Sequence, residues 1–143
     1  MFMGEFNHTI DPKNRVIVPA KYRDELGEKF VVSAGLDGCL YLTKSSDWEE
    51  FANRLSELPM TKETRQLVRF FMKNASECEP DKQGRIIIPQ ALKDMAKLEK
   101  DVVLVGSGSK VEIWSKEKLD SEIPEGSMED IVERLSTEYG LKF

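Results

Sequence analysis

Residues 11–26 read DPKNRVIVPAKYRDEL, and residues 81–96 read DKQGRIIIPQALKDMA. Aligned without gaps, Asp11 falls on Asp81, Arg15 on Arg85, Pro19 on Pro89 and Asp24 on Asp94. The apolar triplet between arginine and proline is Val-Ile-Val in one copy and Ile-Ile-Ile in the other. One residue of slippage further on, Val31, Val32 and Gly35 correspond to Val102, Val103 and Gly106, and Leu40 and Leu42 to Val111 and Ile113. The shared order of turn, arginine, β-branched run, proline and helix marks an internal duplication. That duplication governs the architecture before any single element is assigned.

Each copy has a physical reading of its own. An aspartate at the first turn position accepts backbone hydrogen bonds, and Pro12 pre-sets φ at the second. Asn14 and Gly84 stand where a turn of this kind needs positive φ, which glycine adopts freely and asparagine tolerates. The turn delivers Arg15, or Arg85, to the mouth of a β-branched strand. Pro19 and Pro89 end those strands and open short helices, AKYRDEL and QALKDMAKL. Two further strands follow in each copy, FVVSAG with CLYLT and DVVLVG with KVEIWS. One such unit is too small to bury a core alone, so the two should pair. The expected fold is α+β, mainly β with peripheral helices. It is a closed, interleaved β-barrel with pseudo-two-fold symmetry, closure being one way to remove exposed strand edges. The expected division is 5–47 and 76–119 for the two half-domains, 48–75 for a helical linker and 120–143 for a helical tail.

The linker and tail are strongly amphipathic. Ser45 or Ser46 is placed to cap a helix with Trp48, Phe51, Leu55 and Leu58 on one face, ended by Pro59. Thr61 starts a second helix through about Lys73, with Leu67, Phe70 and Phe71 on its apolar side. Lys62, Arg65, Arg69 and Lys73 line another side at spacings of three and four. That stripe reads either as a solvated face or as a surface for DNA or another subunit. In the tail, Met128, Ile131, Val132, Leu135 and Tyr139 recur at helical spacing, and Gly140 suits the stop. These faces exceed what two small repeats can cover, so a homo-oligomer is expected.

The 143 residues carry a net charge of −5, which on its face opposes phosphate binding. The distribution matters more than the total. Residues 116–143 hold eight acidic side chains against four basic ones, which leaves the rest of the chain nearly neutral and able to hold a local basic patch. Cys39 and Cys78 match no metal spacing and are read as free thiols, and one histidine, His8, cannot build a zinc site. His8 is read as an ordinary strand-surface or interface residue. No apolar run approaches a membrane span and no signal-peptide pattern opens the chain, so a cytoplasmic protein is expected.

The stretches MFMGEFNHTIDPKNRVIVPAKYR and DKQGRIIIPQ, with DVVLVG and VEIWS after the second, resemble the MraZ family over essentially the whole chain. The resemblance implies a double SpoVT/AbrB-like, swapped-hairpin fold and a ring-shaped homo-oligomer. It further implies a nucleoid-associated, sequence-specific transcriptional regulator, usually a repressor. The implied target is short direct repeats in double-stranded DNA upstream of the regulator's own operon, in the cell-division and cell-wall gene cluster. The family's Asp-x-x-x-Arg residues fall on Asp11, Arg15, Asp81 and Arg85, with Asn14 in place of the family's glycine in the first turn and Gly84 in the second. Arg15 and Arg85 are the expected base readers, since a planar guanidinium can bind guanine O6 and N7 together. Lys13 and Lys82 on the same turns supply point charges for phosphates. Asp11, Asn14, Asp81 and Gly84 shape the turns and orient the arginines. No cofactor, metal or catalytic group is expected. Gly106-Ser107-Gly108 is read as a hairpin turn and not a cofactor loop, and the chain offers no Ser-His-Asp or Cys-His arrangement. The rival readings are an antitoxin-like or protein-interaction scaffold and, last, a methyltransferase-associated enzyme.

Overall fold

The structure, a computed structural model, describes residues 1–143. The first half runs β1 (Glu5–Thr9), β2 (Arg15–Ile17), α1 (Ala20–Leu26), β3 (Phe30–Ala34) and β4 (Leu40–Lys44). Two helices follow, α2 (Ser45–Ser56) and α3 (Lys62–Lys73). The second half repeats the series as β5 (Ala75–Cys78), β6 (Arg85–Ile87), α4 (Gln90–Met95), β7 (Asp101–Gly106) and β8 (Val111–Ser115). It also ends in two helices, α5 (Lys116–Ser121) and α6 (Met128–Tyr139). The repeated unit therefore includes its helical pair. The sequence conceals this because α5, KEKLDS, has only Leu119 as an apolar residue and shows no period.

All strand pairs are antiparallel. A six-stranded sheet has the order β1-β7-β8-β4-β3-β5, and β2 pairs with β6 in a separate ribbon. Exchanging the two repeats turns the six-strand order into its own reverse, which is the signature of a two-fold. The central registers obey it: Leu40 faces Ile113 and Leu42 faces Val111, while Arg15 faces Ile87 and Ile17 faces Arg85. The axis thus runs by the Tyr41–Glu112 and Val16–Ile86 pairs. The strands are interleaved as expected, β1 of the first repeat pairing with β7 of the second and β5 of the second with β3 of the first.

The expected closure does not occur. The sheet stays open, with β1 and β5 as its edges. The three-residue strands β2 and β6 are too short to continue the ladder, and they pair only with each other. They roof the core instead. Val16, Val18, Ile86 and Ile88 point inward and are essentially sealed, joining Phe30, Val32, Leu40, Leu42, Leu104 and Ile113 in one cluster. Each such side chain contributes about 1.5–3 kcal/mol when fully buried. Tyr22 anchors the N-terminal segment to this core. Its hydroxyl donates to the Gly4 carbonyl at 2.7 Å, and its ring meets Phe2 and Phe6 edge-on. The same segment crosses Gly106 so closely that a Cβ there would lie 2.4 Å from the Met3 nitrogen. Gly106 therefore marks a close backbone approach at the end of β7.

Several helix ends differ from the expectation. Neither Ser45 nor Ser46 caps α2: Lys44 holds the N-cap position without a side-chain bond, and the Ser45 hydroxyl donates to the Lys29 carbonyl at 2.8 Å. The helix stops at Ser56, ahead of Pro59. Helix α4 ends at Met95, with Lys97 at φ 54°, three residues short of the expected end at Leu98. Thr61 does cap α3, accepting from the Thr64 amide at 3.1 Å, and Gly140 ends α6 at φ 70°.

Candidate nucleic-acid interface

Each Asp-x-x-x-Arg segment folds into the same three-residue loop. The Asp11 carbonyl accepts from the Asn14 amide at 2.9 Å, and the Asp11 amide donates to the Arg15 carbonyl at 3.0 Å. The corresponding bonds between Asp81 and Gly84 and between Asp81 and Arg85 are both 2.9 Å. A type I turn followed by a left-handed residue gives this pattern, and Asn14 and Gly84 supply it at φ 61° and 78°.

The aspartates do two jobs in that loop. One carboxylate oxygen of Asp11 accepts from the Lys13 and Arg15 amides, both at 2.9 Å, and the other accepts from Arg15 Nε at 2.7 Å. Asp81 repeats this with the Gln83 and Arg85 amides at 2.9 Å and Arg85 Nε at 2.8 Å. The amide of Arg15, or Arg85, is the main cause that holds each carboxyl below its ordinary range. Partial desolvation opposes it, and the guanidinium and the second amide assist. Because each aspartate takes Nε, the two terminal nitrogens of both guanidiniums keep no protein partner. Each carboxylate thereby fixes the direction in which its guanidinium points.

Strand alternation puts both arginines on the outer side of the ribbon, opposite the buried Val16 and Ile86. Ile17 and Ile87 share that side, 41% and 65% exposed, each directly across from an arginine. Lys13 and Lys82 are exposed on their turns and form no ion pair. They occupy non-equivalent places, the third residue of one turn and the second of the other. The stripe of Lys62, Arg65, Arg69 and Lys73 lies on a separate element, α3, where Arg65 Nη1 donates to the Met60 carbonyl at 3.0 Å.

Two further cations escaped the sequence reading. Arg23 on α1 donates from Nη1 to the Val18 carbonyl at 3.0 Å, and its guanidinium fills the space beside Gly84, where a Cβ would meet it at 1.5 Å. Lys93 on α4 reaches Asn14 Oδ1 at 3.1 Å, while Asn14 Nδ2 donates to Gln90 Oε1 at 2.9 Å. Each repeat thus braces the other repeat's turn with a cation. The pairing also explains the Asn14/Gly84 difference: the Gly84 turn must leave room for a guanidinium, whereas Asn14 offers an acceptor to an ammonium. The signal was present, since Arg23 and Lys93 align one residue before Asp24 and Asp94.

His8 lies half-buried on β1 opposite Val102. Cys39 and Cys78 are free and buried, and burial pushes their thiols up to about 12 and about 11. They are inert packing residues at neutral pH.

Two copies of a strand–turn–strand–helix–hairpin unit, interleaved and presenting paired arginine turns on one ribbon, define a tandem half-domain protein of mixed α+β class. The family described as "MraZ protein, putative antitoxin-like" matches twice, over residues 1–71 and 70–137, so its repeat also spans the helical pairs. A transcriptional regulator MraZ of Lachnoclostridium phytofermentans is 54% identical over 143 residues, covering all of both chains. One of Caldanaerobacter subterraneus subsp. tengcongensis is 51% identical over 138 residues, 94% of this chain and 96% of its own. Another, of Clostridium beijerinckii, is 57% identical over 119 residues, 82% of this chain and 84% of its own. The chain belongs to the MraZ family.

Proposed function

We propose that this protein is a sequence-specific, DNA-binding transcriptional regulator without enzymatic activity. It represses its own operon in the cell-division and cell-wall gene cluster, binding short direct repeats as a ring-shaped homo-oligomer at the nucleoid. The observation that carries the reading is the pair of guanidinium groups held by Nε on one outward ribbon, with their terminal nitrogens unpartnered. A planar donor pair fixed in this way suits guanine O6 and N7 in the major groove, which admits a two-stranded ribbon. Lys13 and Lys82 neutralise flanking phosphates, and Asp11, Asn14, Asp81 and Gly84 keep the turns in shape. The half-domains 5–47 and 76–119 form the reading unit, with 48–75 as linker and 120–143 as tail. One unit touches few phosphates and binds weakly. Several units spaced along one duplex raise the effective concentration and make repeated operators selective.

The test is a mobility-shift titration with the DNA upstream of the chain's own gene against a scrambled duplex, repeated across salt. A preference for the upstream DNA that persists as salt rises supports the reading. Equal affinity for both duplexes at every salt concentration refutes it.

A further inference from the structure

The ribbon of β2 and β6 turns four side chains outward: Arg15, Ile17, Arg85 and Ile87. The free guanidinium nitrogens give the arginines a role, and the two isoleucines still lack one. A single exposed apolar side chain is ordinary. These two form a matched pair. Ile17 faces Arg85 and Ile87 faces Arg15 across the ladder, a placement that sets facing Cβ atoms about 5 Å apart.

The duplication sharpens the point. The inward positions differ between the copies, Val16 against Ile86 and Val18 against Ile88, although the core seals all four. The outward position is isoleucine both times, although both side chains are exposed. Strand geometry asks only for a β-branched residue there, and threonine supplies that on a wet face. A side chain kept apolar beside a fork kept free fits a ligand that offers acceptors and an apolar group close together. Phosphate and sugar offer no such combination. In the major groove guanine presents O6 and N7 as acceptors, and thymine alone presents an apolar group, its C5 methyl. One flank of the ribbon carries Glu77 and Glu79, which share a hollow with Arg15, Arg85 and Ile87. Their carboxylates repel a phosphate from that hollow and leave it to a neutral base edge.

We propose that Ile17 and Ile87 are specificity-determining residues that close on thymine C5 methyl groups beside the guanines bound by Arg85 and Arg15. The proposal rests on the DNA-binding reading above and adds a second base to what each turn selects. The contact is apolar and neutralises no phosphate, so it tells thymine from uracil without adding to the salt dependence.

The test takes the methyls away from the DNA. A duplex made with deoxyuridine in place of thymine keeps every hydrogen-bonding edge and lacks only the C5 methyl groups. Wild type and an Ile17→Ser, Ile87→Ser chain, both full length, are titrated by fluorescence anisotropy against four duplexes. These are the DNA upstream of the chain's own gene and its scrambled counterpart, each with thymine and with deoxyuridine. Circular dichroism first establishes that the variant is folded. If it is not, threonine replaces serine, since it keeps the branch and drops the ethyl arm. The wild type's preference for the upstream sequence is expected to fall on deoxyuridine by about fourfold for each methyl lost, or roughly 15-fold for the two of one unit. The serine chain is expected to show that lowered preference already on thymine DNA, to be unmoved by deoxyuridine and to keep the wild-type salt slope. If the wild type keeps its full preference on deoxyuridine, the thymine contact is overturned while DNA reading stands. If the serine chain loses as much on deoxyuridine as the wild type, the methyls act through DNA shape or another residue, and the assignment to Ile17 and Ile87 is overturned. If the wild type shows no preference even on thymine DNA, the DNA-binding reading falls, and this proposal with it.

Discussion

Replacing Arg15 and Arg85 together by alanine tests the site most directly. Each guanidinium, held at Nε by its aspartate, presents two donors suited to one guanine. A bidentate base contact carries about 1–3 kcal/mol of discrimination. Two such pairings per chain, acting independently, give about 2–6 kcal/mol, or roughly 30-fold to above 10,000-fold in preference for the operator. In the proposed ring each loss would recur in every subunit. The fold should be spared, because the arginines are partly exposed, exposed ion pairs contribute little, and Asp11 and Asp81 keep their bonds from the Lys13 and Gln83 amides. Arg15→Lys with Arg85→Lys should keep salt-dependent, sequence-blind affinity and lose most of the preference, since an ammonium has no fork to bridge two acceptors. Removing Lys13 or Lys82 should instead weaken every duplex alike and lower the salt slope by about one unit for each phosphate no longer neutralised. Fluorescence anisotropy against operator and scrambled duplexes, with light scattering as control, reads all of these. A double alanine variant that stays assembled and keeps the wild-type operator preference would refute the reasoning. The stripe of Lys62, Arg65, Arg69 and Lys73 would then be the surface to examine.

Gly84→Ala should destabilise the protein by about 1 kcal/mol or more in urea melts, because alanine strains at φ 78° and its methyl displaces Arg23; Asn14→Gly should cost far less. The carboxyls of Asp11 and Asp81 should titrate, by NMR, below the ordinary 3.8. With folded values lowered, the ionised turns contribute stability above the unfolded value that falls away as pH drops through the folded one, so thermal melts should show no pH dependence from them between about pH 5 and 8. Cys39 and Cys78, pushed up to about 12 and 11 by burial, should resist a thiol reagent at neutral pH and both react once the chain is unfolded; fast labelling of the native protein would contradict the packing.

The sequence alone determined whatever is local. An Asp-x-x-x-Arg turn is completed within five residues by hydrogen bonds between near neighbours, so its geometry, its need for Asn14 or Gly84 and its delivery of Arg15 and Arg85 follow from composition and spacing. The apolar triplets before Pro19 and Pro89 mark strands, and α6 follows from its stripe and its Gly140 stop. Because those triplets are apolar throughout, only the fold shows that Val16, Val18, Ile86 and Ile88 face inward and Ile17 and Ile87 outward. Only the tertiary structure decided that β1 crosses to β7 and β5 to β3, and that β2 and β6 stay a separate ribbon over an open sheet. It alone brought Arg23 to Gly84 and Lys93 to Asn14, residues 61 and 79 positions apart: the alignment of Arg23 with Lys93 marks an equivalent cation in each repeat, but its partner depends on how the two units fold around one axis.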